Sequence, residues 1–123
     1  MLKNILYDAI SEHIQCKECL RNAIINGVCN PPSLMIRDEM MCKFGKWLHS
    51  SDLSELVITS DHLENLRKIH KDFHKTAADI MELIENGELD QAQKIMLEDG
   101  GVYSFHTNQL KGEILNWVRL IPD

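Results

Sequence analysis

From Leu2, inward-facing side chains recur at Ile5, Ala9, His13, Cys16, Leu20 and Ile24, at intervals of three and four residues. That is the spacing of a buried stripe along one face of a helix. It returns at Leu63, Leu66, His70, Phe73, Ala77, Ile80 and Ile84. It returns again at Leu89, Ala92, Met96, Tyr103, His106, Leu110, Ile114, Trp117 and Ile121. No stretch alternates apolar and polar residues with period two, and aromatic residues make up only 6% of the chain, so strands have no pattern to form on. A chain patterned this way folds as an all-α protein.

Local signals divide it. The first helix must stop by Asn30-Pro31-Pro32, because proline cannot continue a helix and disfavours helical geometry in the residue before it. A second helix is expected from about Met35 to His49, ending at Ser50-Ser51. Asp52 with Glu55 resembles a capping box for a brief turn, and Asp61 with Glu64 does the same for a long third helix. Asn86-Gly87 stops that helix, and the fourth restarts at once. Gly100-Gly101 interrupts the fourth stripe at a cost of about 2 kcal/mol against alanine, marking a kink, a break or a close approach of two helices. The expected architecture is a four-helix bundle, a single domain over 1–123, with an irregular connection between the second and third main helices.

Composition narrows the functions. A length of 123 residues suffices for one core and is too short for two. The net charge of −6 disfavours a nucleic-acid partner held by phosphate contacts. No apolar run approaches the roughly 20 residues of a membrane span. The N-terminal MLKNILYDAISEH lacks the apolar core of a signal peptide, so a cytoplasmic location is expected. In that reducing compartment the four cysteines are metal ligands, redox thiols or core residues rather than disulfides.

Chemistry gathers at a few positions. His70 and His74 lie four apart, one turn along a helix, so both imidazoles can meet one ion. The interior of the motif, Lys71-Asp72-Phe73, lacks the glutamate base of HExxH, and an ordinary surface pair has the same spacing. His70, however, continues a buried stripe, and so does His13 in the first helix. Bundles build metal sites from such facing inward side chains. Cys42 opens Cys42-Lys-Phe-Gly-Lys-Trp47 just inside the second helix, where Gly45 would let a neighbouring helix approach closely. Three histidines and one thiolate would complete a nitrogen–sulfur shell for Zn2+. A competing set is Cys16-Lys-Glu-Cys19 with Cys29 and Cys42, although Cys16 and Cys19 stand inside an uninterrupted helical pattern whereas CxxC knuckles usually need a turn. His49 and His62 fall near helix ends and should be solvated, and His106 should be a packed, hydrogen-bonded core histidine. Trp47 and Trp117 should fill the core, and Glu82, Glu85, Glu88 and Asp90 form a solvated face.

The order His13-Ile-Gln-Cys16, then Cys42-Lys-Phe-Gly45-Lys-Trp47, then His70-Lys-Asp-Phe-His74 resembles the chemoreceptor zinc-binding (CZB) domain of bacteria. Here 25 residues separate Cys16 from Cys42 and 22 separate Trp47 from His70, intervals that suit the family pattern. The resemblance runs from about His13 to the terminal helix. Cys16 departs from it, standing where the family usually has tryptophan or another large apolar residue. By this resemblance His13, Cys42, His70 and His74 would be the ligands of Zn2+. The family's domains are attached to chemoreceptors or diguanylate cyclases, or stand alone, and tune signalling in response to zinc or oxidants; many are homodimers. The expectation is therefore a regulatory zinc-binding domain without catalytic activity, since a closed four-ligand shell leaves no position for a reacting water. Two other readings stand beside it: a di-iron-like enzyme or carrier, which would need inward carboxylates in Glu-x-x-His pairs, and a metal-free interaction bundle.

Overall fold

The first two long stripes in the sequence become long helices, and the last becomes two helices in succession. The computed structural model describes residues 2–29, 31–50, 60–97 and 101–121. Its helices are α1 (Leu2–Asn26), α2 (Ser33–Arg37), α3 (Lys43–Leu48), α4 (Ser60–Glu85), α5 (Leu89–Leu97) and α6 (Val102–Leu120), with one 3-10 turn at Glu39–Met41. No strand occurs among the described residues, so the all-α expectation holds.

The chain makes four courses. α1 runs one way, and α2–α3 returns antiparallel to α4: Ser33 meets Glu85 near the C-terminal end of α4, and Leu48 meets Arg67 near its beginning. α5 and α6 then run back along α4, with Tyr103 beside Phe73 and Trp117 near His62 and Asn65. The core between the courses is built from Leu6, Leu20, Phe44, Leu66, Phe73, Leu110, Ile114 and Trp117, all essentially inaccessible to water. In α1 the buried stripe passes through Leu6 rather than the expected Ile5, which is 36% exposed.

The expected second helix is not continuous. Asp38 and Cys42 both adopt extended backbone, which splits it into α2, the 3-10 turn and α3. Both residues turn their side chains onto the backbone ahead: Asp38 accepts from Met40 N at 3.0 Å, and the Cys42 sulfur accepts from Gly45 N at 3.2 Å. Such local bonds compete with helix propagation and favour caps. Cys42 is thus the N-cap of α3 rather than a residue inside a helix. The third helix starts at Ser60, so Asp61 sits in its first turn and not at the cap. Its end follows expectation, with Gly87 in the left-handed region at φ +80° and Glu88 N bonded back to Leu83 O. The fourth course breaks at Gly101, the extended N-cap of α6. The suggested cap at Asp52 and Glu55, and the Gly100 half of the glycine pair, lie outside the described residues.

The α2–α3 segment is laced to α4 along its length. Glu85 accepts from the backbone N–H and hydroxyl of Ser33, Arg37 pairs with Asp79 and Glu82, and Arg67 donates twice to Leu48 O at the C-terminal end of α3. The middle of this strap carries Cys42.

Candidate metal centre

Three elements deliver four donor atoms to one point. His13 stands midway along α1, and its Nδ1 lies 2.6 Å from Ala9 O one turn earlier, so Nδ1–H donates there and Nε2 faces α4. His74 is fixed the same way by a carbonyl of the strap, with Nδ1 2.8 Å from Ile36 O. His70, one turn earlier on α4, sets its Nε2 3.1 Å from that of His13 and 3.0 Å from that of His74. The Cys42 sulfur closes the group at 3.3 Å from His70 Nε2, 3.5 Å from His74 Nε2 and 3.9 Å from His13 Nε2. All four donor atoms lie within 4.8 Å of one another, and no other group of three or more His, Cys, Asp or Glu residues gathers in this way among the described residues.

The electrostatics call for a cation. The three histidines are only 6%, 0% and 8% exposed. Burial, opposed by the Ala9 carbonyl and reinforced by His74, holds His13 down at about 4. Burial and then the adjacent His74 and His13 hold His70 at about 2, and burial also lowers His74. All three rings are therefore neutral at neutral pH. With Nδ1–H of His13 and His74 already committed to carbonyls, both of their Nε2 atoms present lone pairs to the cluster. His70 can offer one proton at most, so the group has more acceptors than donors. Burial also raises the Cys42 thiol, opposed by the N–H groups of Gly45 and Phe44. A borderline-soft dication satisfies this set. Nitrogen and sulfur donors at about 2.0–2.3 Å from zinc stand roughly 3.3–3.7 Å apart in a tetrahedral shell, close to the separations seen. The donor set fits Zn2+.

The surroundings keep the group in place. Phe44 and Phe73 meet the His13 ring edge-on at 5.8 and 5.2 Å, and Phe44 meets His70 at 5.2 Å. Gly45 allows the approach of the 3-10 turn: a Cβ there would lie 1.8 Å from Glu39 O. The nearest neighbour is the chain's own turn, and His70 Cε1 of α4 comes next at 3.1 Å.

The structure brings together His13, Cys42, His70 and His74, and it leaves the competing four-cysteine set apart. Cys16 and Cys19 line a pocket on α1, and Cys29 is half-buried elsewhere. No carboxylate joins the four, so the di-iron reading lacks its ligands among the described residues. His49 and His62 are exposed as expected, and His49 also lies 3.3 Å from Glu39. His106 is half-buried against Phe105, with its Nδ1 buried and without a hydrogen-bond partner, contrary to the expected hydrogen-bonded packing. Trp117 is in the core, whereas Trp47 is only half-buried, stacked on Phe44. Sequence reasoning missed the carbonyls of Ala9 and Ile36. Nothing in a side-chain pattern marks which backbone oxygen will face a ring.

A helical bundle with a buried cluster of three histidines and one cysteine is the arrangement of a metal-binding domain, and comparison with known families makes that specific. The family profile of the chemoreceptor zinc-binding domain matches residues 13–81, more than half of the 123 residues, and the chain belongs to that family. The match begins at His13, contains all four clustered residues and ends at Met81, short of α5 and α6 rather than reaching the terminal helix. This is a family of regulatory sensory domains, and its cofactor is zinc. No curated protein and no solved structure matches the chain. No helix among the described residues is long and apolar enough to cross a membrane.

Proposed function

We propose that His13, Cys42, His70 and His74 bind one Zn2+ per chain, and that the domain tunes a bacterial signalling output, such as chemotaxis or cyclic-di-GMP synthesis, in response to zinc or oxidants. The observation that carries this reading is the convergence of four donor atoms from α1, the strap and α4 within 4.8 Å. Zinc bound there would hold the Cys42 sulfur as a thiolate and relieve the opposed imidazole lone pairs. The chain's own residues translate that state into shape. Cys42 draws the strap toward α4, His13 draws α1 toward the same point, and the carbonyls of Ala9 and Ile36 fix the ring orientations. When the four donors are not held together, the strap and α1 shift relative to α4, and a partner reads the shift. In this reading the domain is a cytoplasmic single unit over 1–123 that works as a homodimer with an associated or fused chemoreceptor or diguanylate cyclase.

Metal analysis of the purified protein tests the centre. We expect about one zinc per chain, and a marked fall in zinc retained after dialysis against a chelator for Cys42→Ala and for His70→Ala. Zinc content unchanged in both variants would overturn the ligand set.

A further inference from the structure

Beside the centre, α1 and the strap leave a pocket of about 410 Å³. Its walls are largely apolar, yet sulfur surrounds it. Three of the chain's four cysteines, Cys16, Cys19 and Cys42, open onto it, with the thioethers of the exposed Met35 and Met41 at its edge. Cys42 belongs to the centre, but Cys16 and Cys19 are free thiols that the centre does not use. They lie three residues apart on α1, so their side chains share one face of the helix. Cys16 packs partly against the core beside Tyr103, whereas Cys19 is exposed and packing does not account for it.

Thiolates and thioethers are soft donors and select soft d10 cations, Cu+ foremost. Two sulfurs with no third strong ligand grouped on them make a poor zinc site, since structural zinc takes four ligands. Low coordination by sulfur suits a monovalent ion instead. We propose that Cys16 and Cys19 form a second metal site, for a soft monovalent d10 cation such as Cu+, in the pocket beside the four-residue centre. On binding, two metal–sulfur bonds form and two thiol protons leave to solvent; no electron is transferred. Burial pushes the Cys16 thiol up to about 11, so it stays protonated until a strongly thiophilic ion displaces the proton. The pocket also reaches His13, His74 and Cys42, so an ion held at the two thiols would share it with three of the four clustered residues.

The test is an anaerobic titration of the zinc-loaded protein with Cu+ against a chromogenic Cu+ chelator, with zinc and copper both quantified. We expect one Cu+ bound per chain with zinc retained, and a loss of Cu+ affinity of about tenfold or more in Cys16→Ser and in Cys19→Ser, with zinc content unchanged in both. Copper entering one for one as zinc leaves, or Cu+ affinity unchanged in both variants, would overturn the second site. Should Cys16→Ser fold poorly, Cys19→Ser carries the test from an exposed position. A protein that holds no zinc but still takes up Cu+ through Cys16 and Cys19 would support this site while removing the zinc reading of the centre.

Discussion

A methyl group at position 45 has no room. Its carbon would fall 1.8 Å from the backbone oxygen of Glu39 and 3.1 Å from His70 Cε1, and a backbone oxygen cannot swing aside as a side-chain tip can. Gly45→Ala should therefore prise the 3-10 turn off α3 and disturb His70. We predict a loss of about 1–3 kcal/mol in chelator-treated protein, the usual cost of forcing extra volume into a packed site. Denaturant unfolding measures it, and a variant within about 0.5 kcal/mol of the parent would show that the turn gives way freely. Much at this scale was legible in the sequence. The inward positions of His13 and His70 followed from the stripes they continue, and Gly45 was marked as a point of close approach. The capping role of Cys42 was not legible, because it rests on a bond from its sulfur to a backbone N–H. Hydrophobic periodicity carries no trace of such a bond.

Among the elements, the strap is the least regular and the most dependent on others. α2 has five residues and α3 six, too short to persist alone, and neither has a strong stripe of its own. Their terminal backbone groups are satisfied from α4: Glu85 accepts from the N–H of Ser33, and Arg67 donates to the carbonyl of Leu48. Glu85 was legible only as part of a solvated acidic face, since its partner lies 52 residues away. The hydroxyl and then the backbone N–H of Ser33 lower the pKa of Glu85. A carboxylate depressed in the folded state contributes stability that is present above its unfolded pKa of about 4.3 and is lost as pH falls through the folded value. Glu85 is exposed, so solvent screening keeps the contribution near 0.5 kcal/mol. Ser33→Ala should remove the hydroxyl's share of the acid sensitivity and leave that of the backbone N–H. Unfolding measured between about pH 5 and pH 3 should then show a shallower decline than in the parent. A decline of identical slope would mean that the Ser33 bond contributes nothing in solution.

In the molecule as a whole, three of the four courses meet at the centre, and α5–α6 supplies core but none of the clustered residues. The bundle's courses could be read from the stripes, because long helices are set by burial along one face. The break in the fourth course was marked by the glycine pair that includes Gly101, whereas the breaks in the second could not be placed, since they depend on caps formed by Asp38 and Cys42. With α1, α4 and α6 packed on shared apolar side chains, helical structure should survive removal of the metal while thermal stability falls. Given a contribution of at least a few kcal/mol from the centre, we predict a drop in Tm of about 10 °C or more on chelation, read by circular dichroism. An unchanged Tm in protein shown to have lost its zinc would deny the centre any share in stability.

The lacing of the strap has a kinetic consequence. Because Ser33 and Leu48 remain fastened to Glu85 and Arg67, a sulfur freed from the centre stays on a short leash with both ends pinned. Its local concentration toward the imidazoles is then millimolar or above, as for any reactant on a short tether. Recapture is a first-order event that no dilution slows. A competitor from solution has to arrive during brief openings, so Cys42 should lose and regain its place many times before an ion escapes.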